Sequence, residues 1–195
     1  MKKSLFPPRN SDPVYTKLDD WILHEAIPFS LDSPETFNAS IDRVIASLGD
    51  SVDLLGFGEA LHGGEDILLL RNRLFHRLVE AHGYSAIAIE SSFPRAHEIN
   101  EYVTGSGPAS YEAVQNTGFS HGFGRFDANR ELVEWMRQYN ADPSHQIKLH
   151  FYGFDSPTEM TYSDSPRQAL HFVLDYLFSI DAPAAKSIEN ESICF

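Results

Sequence analysis

Three short apolar runs, at 52–57, 84–89 and 148–154, are each followed at or near their end by a carboxylate: Glu59, Glu90 and Asp155. Runs of this length are too short to cross a membrane and too apolar to lie in water, so each reads as a buried strand. Between them the apolar residues recur at helical spacing. Strands alternating with helices call for an α/β fold, with a largely parallel sheet and helices on both faces. Ligands in such sheets gather at the carboxyl ends of the strands, so the active site is expected there.

The helical stretches can be placed from their punctuation. Residues 15–26 read as a helix stopped by Pro28. Asp32 or Ser33 can cap the next, with Pro34 at its first position, Phe37, Ile41, Val44, Ile45 and Leu48 as its stripe and Gly49 as its terminator. A helix over 65–82 closes at Gly83, and shorter ones are expected at 94–102 and 111–115 around the loop 105–108. Ala128, Leu132, Trp135, Met136 and Tyr139 mark another, with Asp127 placed to cap it, and 168–177 forms a last helix before a tail without pattern. With 195 residues the chain fits one domain over 1–195, with the proline-rich residues 1–13 as a flexible arm.

Charge narrows the partners. Fifteen Lys and Arg against 28 Asp and Glu give a net charge of -13, so the protein's own field opposes nucleic acid and anionic membranes. The single cysteine, Cys194, can form no internal disulfide, and Pro7, Pro8, Arg9 and Asp12 follow the basic start where a signal peptide needs an apolar run. The expected setting is the cytoplasm, and the expected partner a small molecule.

Chemistry concentrates in the turn after the first run, Gly56-Phe57-Gly58-Glu59-Ala60-Leu61-His62-Gly63-Gly64-Glu65-Asp66. Its glycines let the backbone bend and a substrate approach, while Glu59 and His62 can hold or move a proton near neutral pH. In the following helix Ile67, Leu70, Leu74, Phe75 and Leu78 build the expected inward face, and Arg71 shares it. An unpaired buried guanidinium is costly, so Arg71 should meet a carboxylate, with Glu59 and Glu90 as partners, or snorkel outward. An ion pair tying helix to sheet and a catalytic role both stay open. The other histidines show no comparable company, and His76 and His82 read as helix surface.

Three further signals are weaker. Glu59-x-x-His62 with Glu65 and Asp155 offers metal ligands, but neither a helical Glu-x-x-His nor a His-Glu-x-x-His run is present, so no metal or cofactor is expected. Gly118-Phe119-Ser120-His121-Gly122 matches the nucleophile pattern of serine hydrolases but lacks the strand before and helix after it. It reads first as a substrate loop or lid, with Ser120 as a nucleophile kept as an alternative. A phosphate cradle at Gly56-x-Gly58 is opposed by Glu59, Glu65 and Asp66.

Taken together, Gly58-Glu59-Ala60-Leu61-His62-Gly63-Gly64-Glu65, Glu90, Ile99-Asn100-Glu101-Tyr102-Val103, Asn129-Arg130-Glu131-Leu132 with Trp135-Met136-Arg137, and Phe151-Tyr152-Gly153-Phe154-Asp155 resemble the erythromycin esterase family. The resemblance runs roughly over 21–157. It implies a hydrolase that opens a carboxylic ester or macrolactone without metal or covalent intermediate, as in macrolide antibiotic resistance, alongside relatives labelled as succinoglycan biosynthesis proteins. On that resemblance His62 is the general base, and Glu59, Arg71 and Glu90 are its companions. Family members are longer and draw further histidines from their C-terminal half. The chain is therefore expected to be the N-terminal half of a longer fold, with an inactive domain that only binds ligand or partner as the alternative.

Overall fold

The computed structural model describes residues 16–49, 52–59, 63–155 and 165–192, with side chains as far as 188. Its contacts divide the chain into two compact units, one up to Gly58 and one from Glu59 onward.

The first unit holds α1 (Leu18–Glu25) and α2 (Pro34–Leu48). Ser33 caps α2 by accepting from Thr36 N at 3.3 Å, Pro34 opens it, and Gly49 ends it at φ 78°. Those features fall where their side-chain chemistry places them. Ser40, in the same helix, donates to the carbonyls of Pro28 and Thr36, and Phe29 meets Phe37 edge to face, so the incoming loop folds onto α2. The run at 52–57 is a correction: it forms no strand, and Leu54 is 89% exposed. An apolar run shows that a segment gains from burial, but a strand also needs a neighbouring backbone to pair with, and none pairs with 52–57 among the described residues.

The second unit begins its regular structure with α3 (Glu65–His82), closed by Gly83 in the left-handed conformation. Then come β1 (Ala86–Ser92), α4 (Phe93–Thr104), α5 (Tyr111–Val114), a 3-10 turn over Phe123–Arg125, α6 (Asp127–Ala141), β2 (His150–Asp155), α7 (Pro166–Ile180) and α8 (Ala182–Ser192). β1 and β2 pair in parallel, and the fold is α/β with a two-stranded sheet among the described residues. Phe75 and Val79 of α3, Ile99 and Val103 of α4, Leu132, Val133 and Met136 of α6, and Ile89 and Phe151 of the strands share one core.

Two asparagines seat β2 within that core. Asn140, near the end of α6, accepts from Leu149 N at 2.7 Å and donates to the carbonyls of Leu149 and Val103. Asn100 of α4 accepts from Phe151 N at 3.0 Å, satisfying a backbone donor that β1 does not reach. At the C-terminal side Ser165 and Gln168 close a capping box on α7, and Asp181 accepts from Ala184 N at the start of α8. The tail without pattern is thus a helix. Its Ala182, Ala184 and Ala185 favour helix by propensity without making an apolar stripe.

The register slips where it matters. Ile89 lies opposite Gly153 and Ser92 opposite Asp155, so three steps along β1 match two along β2, and the extra residue falls at Glu90–Ser91. Glu90 therefore does not end its strand. It sits in a bulge, a device that re-aims side chains near strand ends. Gly153 makes the close approach possible, since a Cβ there would lie 2.4 Å from Ser91 O and 2.7 Å from Ser92 O.

Candidate active site

His62 lies outside the described residues, while Glu59 and Gly63 on either side of it are described. A Cβ on Gly63, whose φ is 75°, would lie 2.9 Å from the Cζ of Phe126, so the turn presses directly on that ring. Phe126 neighbours Phe123 at 6.2 Å between centroids, and Phe123 neighbours the His121 ring at 5.4 Å. A row of rings thus leads from the glycine turn to the carboxyl end of β2.

At the turn's foot, α3 buries Phe75 and Leu78 of the expected face, but the face is turned so that Leu68, Asn72 and Val79 replace Ile67, Leu70 and Leu74 as its other fully buried members. Leu68, Asn72, Phe75 and Val79 are buried at helical spacing, and Asn72 is fully enclosed. Its Nδ2 donates to Ala128 O at 2.7 Å. Arg71 beside it reaches Asn72 Oδ1 through Nη2 at 2.9 Å and Asn129 Oδ1 through the same nitrogen at 2.7 Å. Amide oxygens hold the guanidinium at hydrogen-bond range, and Glu59, one of the two expected partners, acts on it through its charge together with Glu65. Burial pulls the Arg71 pKa down to about 10, opposed by those two carboxylates, so the group stays cationic at neutral pH. Glu65 also accepts from Ala128 N, where the positive end of α6 favours a carboxylate. Asp127 is the first residue of α6 rather than its cap.

A second polar set lies at the strand ends. Ser120 is 4% exposed, and its Oγ accepts from Ser92 N at 2.7 Å, stands 3.3 Å from Ser91 Oγ and 2.8 Å from His121 Nδ1. Ser120 N donates to Ser91 Oγ at 3.0 Å. His121 Nε2 faces Asp155 Oδ2 at 3.6 Å, with side-chain exposures of 14% and 32%. This is the company that sequence reading did not find for His121. Adjacency in sequence hides it, because Asp155 arrives only through strand pairing. The order serine, histidine, aspartate is that of a catalytic triad, but Ser120 is buried and its oxygen already has three polar neighbours. No strand precedes Ser120, and a 3-10 turn rather than an α-helix follows.

The two sets are joined. Asn129, which receives Arg71, donates its Nδ2 to Phe123 O at 2.9 Å, in the segment that also carries His121. His76 is another correction: it is half-buried, stacked on Trp135 at 3.8 Å, and burial holds its imidazole below the ordinary range. Among the described residues no three His, Cys, Asp or Glu side chains converge as metal ligands, and no helix is long and apolar enough to cross a membrane.

The chain resembles several known proteins. The chain is similar to erythromycin esterase type II of Escherichia coli, 25% identical over 174 residues that make up 89% of this chain and 39% of the relative. It is 22% identical to erythromycin esterase type I of Escherichia coli over 147 residues, 74% of this chain and 34% of the relative. The chain therefore spans about two-fifths or less of these relatives. Its fold matches the crystal structure of a Bacillus cereus protein at TM-score 0.62 and 23% identity, over 87% of this chain and 38% of that one. It also matches that of a succinoglycan biosynthesis protein at TM-score 0.63 and 24% identity, over 85% and 38%. The family profile described as erythromycin esterase covers residues 79–195, beginning after Glu59, His62 and Arg71 and including Glu90, His121 and Asp155. With more than half of its length inside that profile, the chain belongs to the erythromycin esterase family.

Proposed function

We infer that the protein is a hydrolase that cleaves a carboxylic ester or macrolactone, with water activated by His62. The observation that carries this reading is the buried cation at the foot of the glycine turn. Arg71 is fixed by two amide oxygens and remains charged, so it supplies a constant positive field beside Glu59 and Glu65. A field already in place when negative charge develops lowers a barrier without reorganisation.

In the proposed step His62 takes a proton from water as the oxygen attacks the carbonyl carbon. Glu59 and Glu90 orient the imidazole or the water, and Arg71 favours the developing oxyanion. The step uses no metal ion and no acyl-enzyme. General-base catalysis is worth about 10²- to 10⁴-fold. His62→Asn is therefore expected to lower kcat on a hydrolysable ester or macrolide by about that factor with an unchanged unfolding midpoint. A variant with full turnover would refute the assignment.

A further inference from the structure

Water activation accounts for half of an ester cleavage. When the tetrahedral intermediate collapses, an alkoxide departs, and an alkoxide is a poor leaving group unless it is protonated as it leaves. The strand-end relay has the features such a proton donor needs.

His121 sits at φ 56°, in the left-handed region that a bulky side chain enters at a cost. Histidine is among the few side chains that enter that region with some frequency, so the backbone sets the ring's direction at modest cost. One nitrogen is anchored: Nδ1 stands 2.8 Å from Ser120 Oγ. The other is not committed, because 3.6 Å from Asp155 Oδ2 is an ion-pair distance beyond hydrogen-bond length. Asp155 turns its carboxylate toward that nitrogen.

The serines let that proton come and go. With the imidazole neutral, Ser120 can donate its hydroxyl proton to Nδ1 while Nε2 carries the ring's hydrogen. With the imidazole protonated, Nδ1 donates to Ser120 Oγ, whose own proton turns to Ser91 Oγ at 3.3 Å. In both states Nδ1 stays bonded to Ser120 Oγ; in the protonated one the Ser91 hydroxyl proton loses the Ser120 oxygen as its acceptor, so the exchange costs one buried hydrogen bond.

We propose that His121 is the general acid of the reaction, donating its Nε2 proton to the leaving oxygen, with Asp155 and Ser120 as positioning residues. This rests on the hydrolase reading above. Water adds its oxygen to the carbonyl carbon and gives a proton to His62. The bond from that carbon to the ester oxygen then breaks, the electron pair leaves with the oxygen, and the oxygen takes the proton from His121. The products are the acid and the alcohol; His62 then loses a proton to solvent and His121 regains one.

The test compares two esters of one acid, a simple alkyl ester and a nitrophenyl ester, whose anion leaves without help. His121→Gln is expected to lower kcat about 10²- to 10⁴-fold on the alkyl ester and less than about tenfold on the nitrophenyl ester. Asp155→Asn should show the same split to a smaller degree. A structural role would move both substrates together, so equal losses, or an undiminished rate on the alkyl ester, overturn the proposal. If His121→Gln does not fold, His121→Asn keeps a residue that tolerates the left-handed backbone and is read in its place. Should His62→Asn leave both rates intact while the His121 split persists, water activation by His62 fails and the acid role stands. Should the protein turn over neither ester, both fall.

Discussion

The clamp around Arg71 and the relay around His121 solve opposite problems with similar parts. At α3 a permanent charge is answered by neutral amide oxygens from Asn72 and Asn129. At the strand ends a group able to gain and lose a proton is answered by hydroxyls on one side and a carboxylate on the other. A guanidinium cannot release its proton in a protein, so what surrounds it can only aim a field. An imidazole between a rotatable hydroxyl and a carboxylate can hand its proton on. Asn129 touches both regions, donating to Phe123 O while accepting from Arg71.

The comparison breaks most readily at Gly153. Gly153→Val places a branched side chain where even a Cβ would lie 2.4 Å from Ser91 O. Overpacking against backbone cannot be relieved by a rotamer change, so β2 must move away from the bulge and take Asp155 with it. The expected cost is about 3 kcal/mol, read by denaturant titration. Slowed amide exchange should be lost along β1 and β2 first. A variant as stable as the wild type would mean that the bulge is not held by this close approach, and that the relay owes little to it.

Arg71→Met should cost somewhat less and act on the clamp alone. It leaves Asn72 Oδ1 and Asn129 Oδ1 without their donor, an expected loss of about 2 kcal/mol. Asn129→Leu alone takes one of the guanidinium's two amide acceptors and removes the Nδ2 donor to Phe123 O. The double variant removes donor and acceptor at once, so the cycle should show strong coupling, on the order of 1 kcal/mol or more. Independent costs would say that the clamp is two unrelated contacts.

How much of this was legible depended on whether the signal was local. The cap at Ser33, the stop at Gly83 and the spans of α2 and α3 follow from residues adjacent in sequence, and those expectations hold. The inward face of α3 was read in part, with Phe75 and Leu78 buried as expected, but Asn72 was missed because it looks polar and therefore outward. It is buried because Ala128 O and Arg71 satisfy both ends of its amide. His121 escaped notice because Asp155 is brought to it only by the parallel pairing of β2 with β1. The run at 52–57 failed for the complementary reason: apolar character is local, but a strand's partner is not.

The smallest expected effect lies at the far end of the α3–α6 joint and asks whether acid loosens the clamp side before the relay side. His76 stacks on Trp135, with its Nε2 buried and without a hydrogen-bond partner among the described residues. Burial lowers the folded imidazole's proton affinity below the ordinary value of 6.5, so below that pH the unfolded chain binds the proton more readily. The contribution of His76 to stability is therefore fully present above about pH 6.5 and declines as pH falls through and below that value. His76→Phe should keep the stack and remove this part of the acid dependence. Urea midpoints of the two proteins should run parallel above neutrality and separate as pH falls below about 6.5, with the wild type falling faster. Amide exchange in α3 and α6 should quicken in the same window ahead of β1 and β2. Parallel midpoints throughout would place the acid sensitivity elsewhere in the fold and leave the α3–α6 joint indifferent to pH.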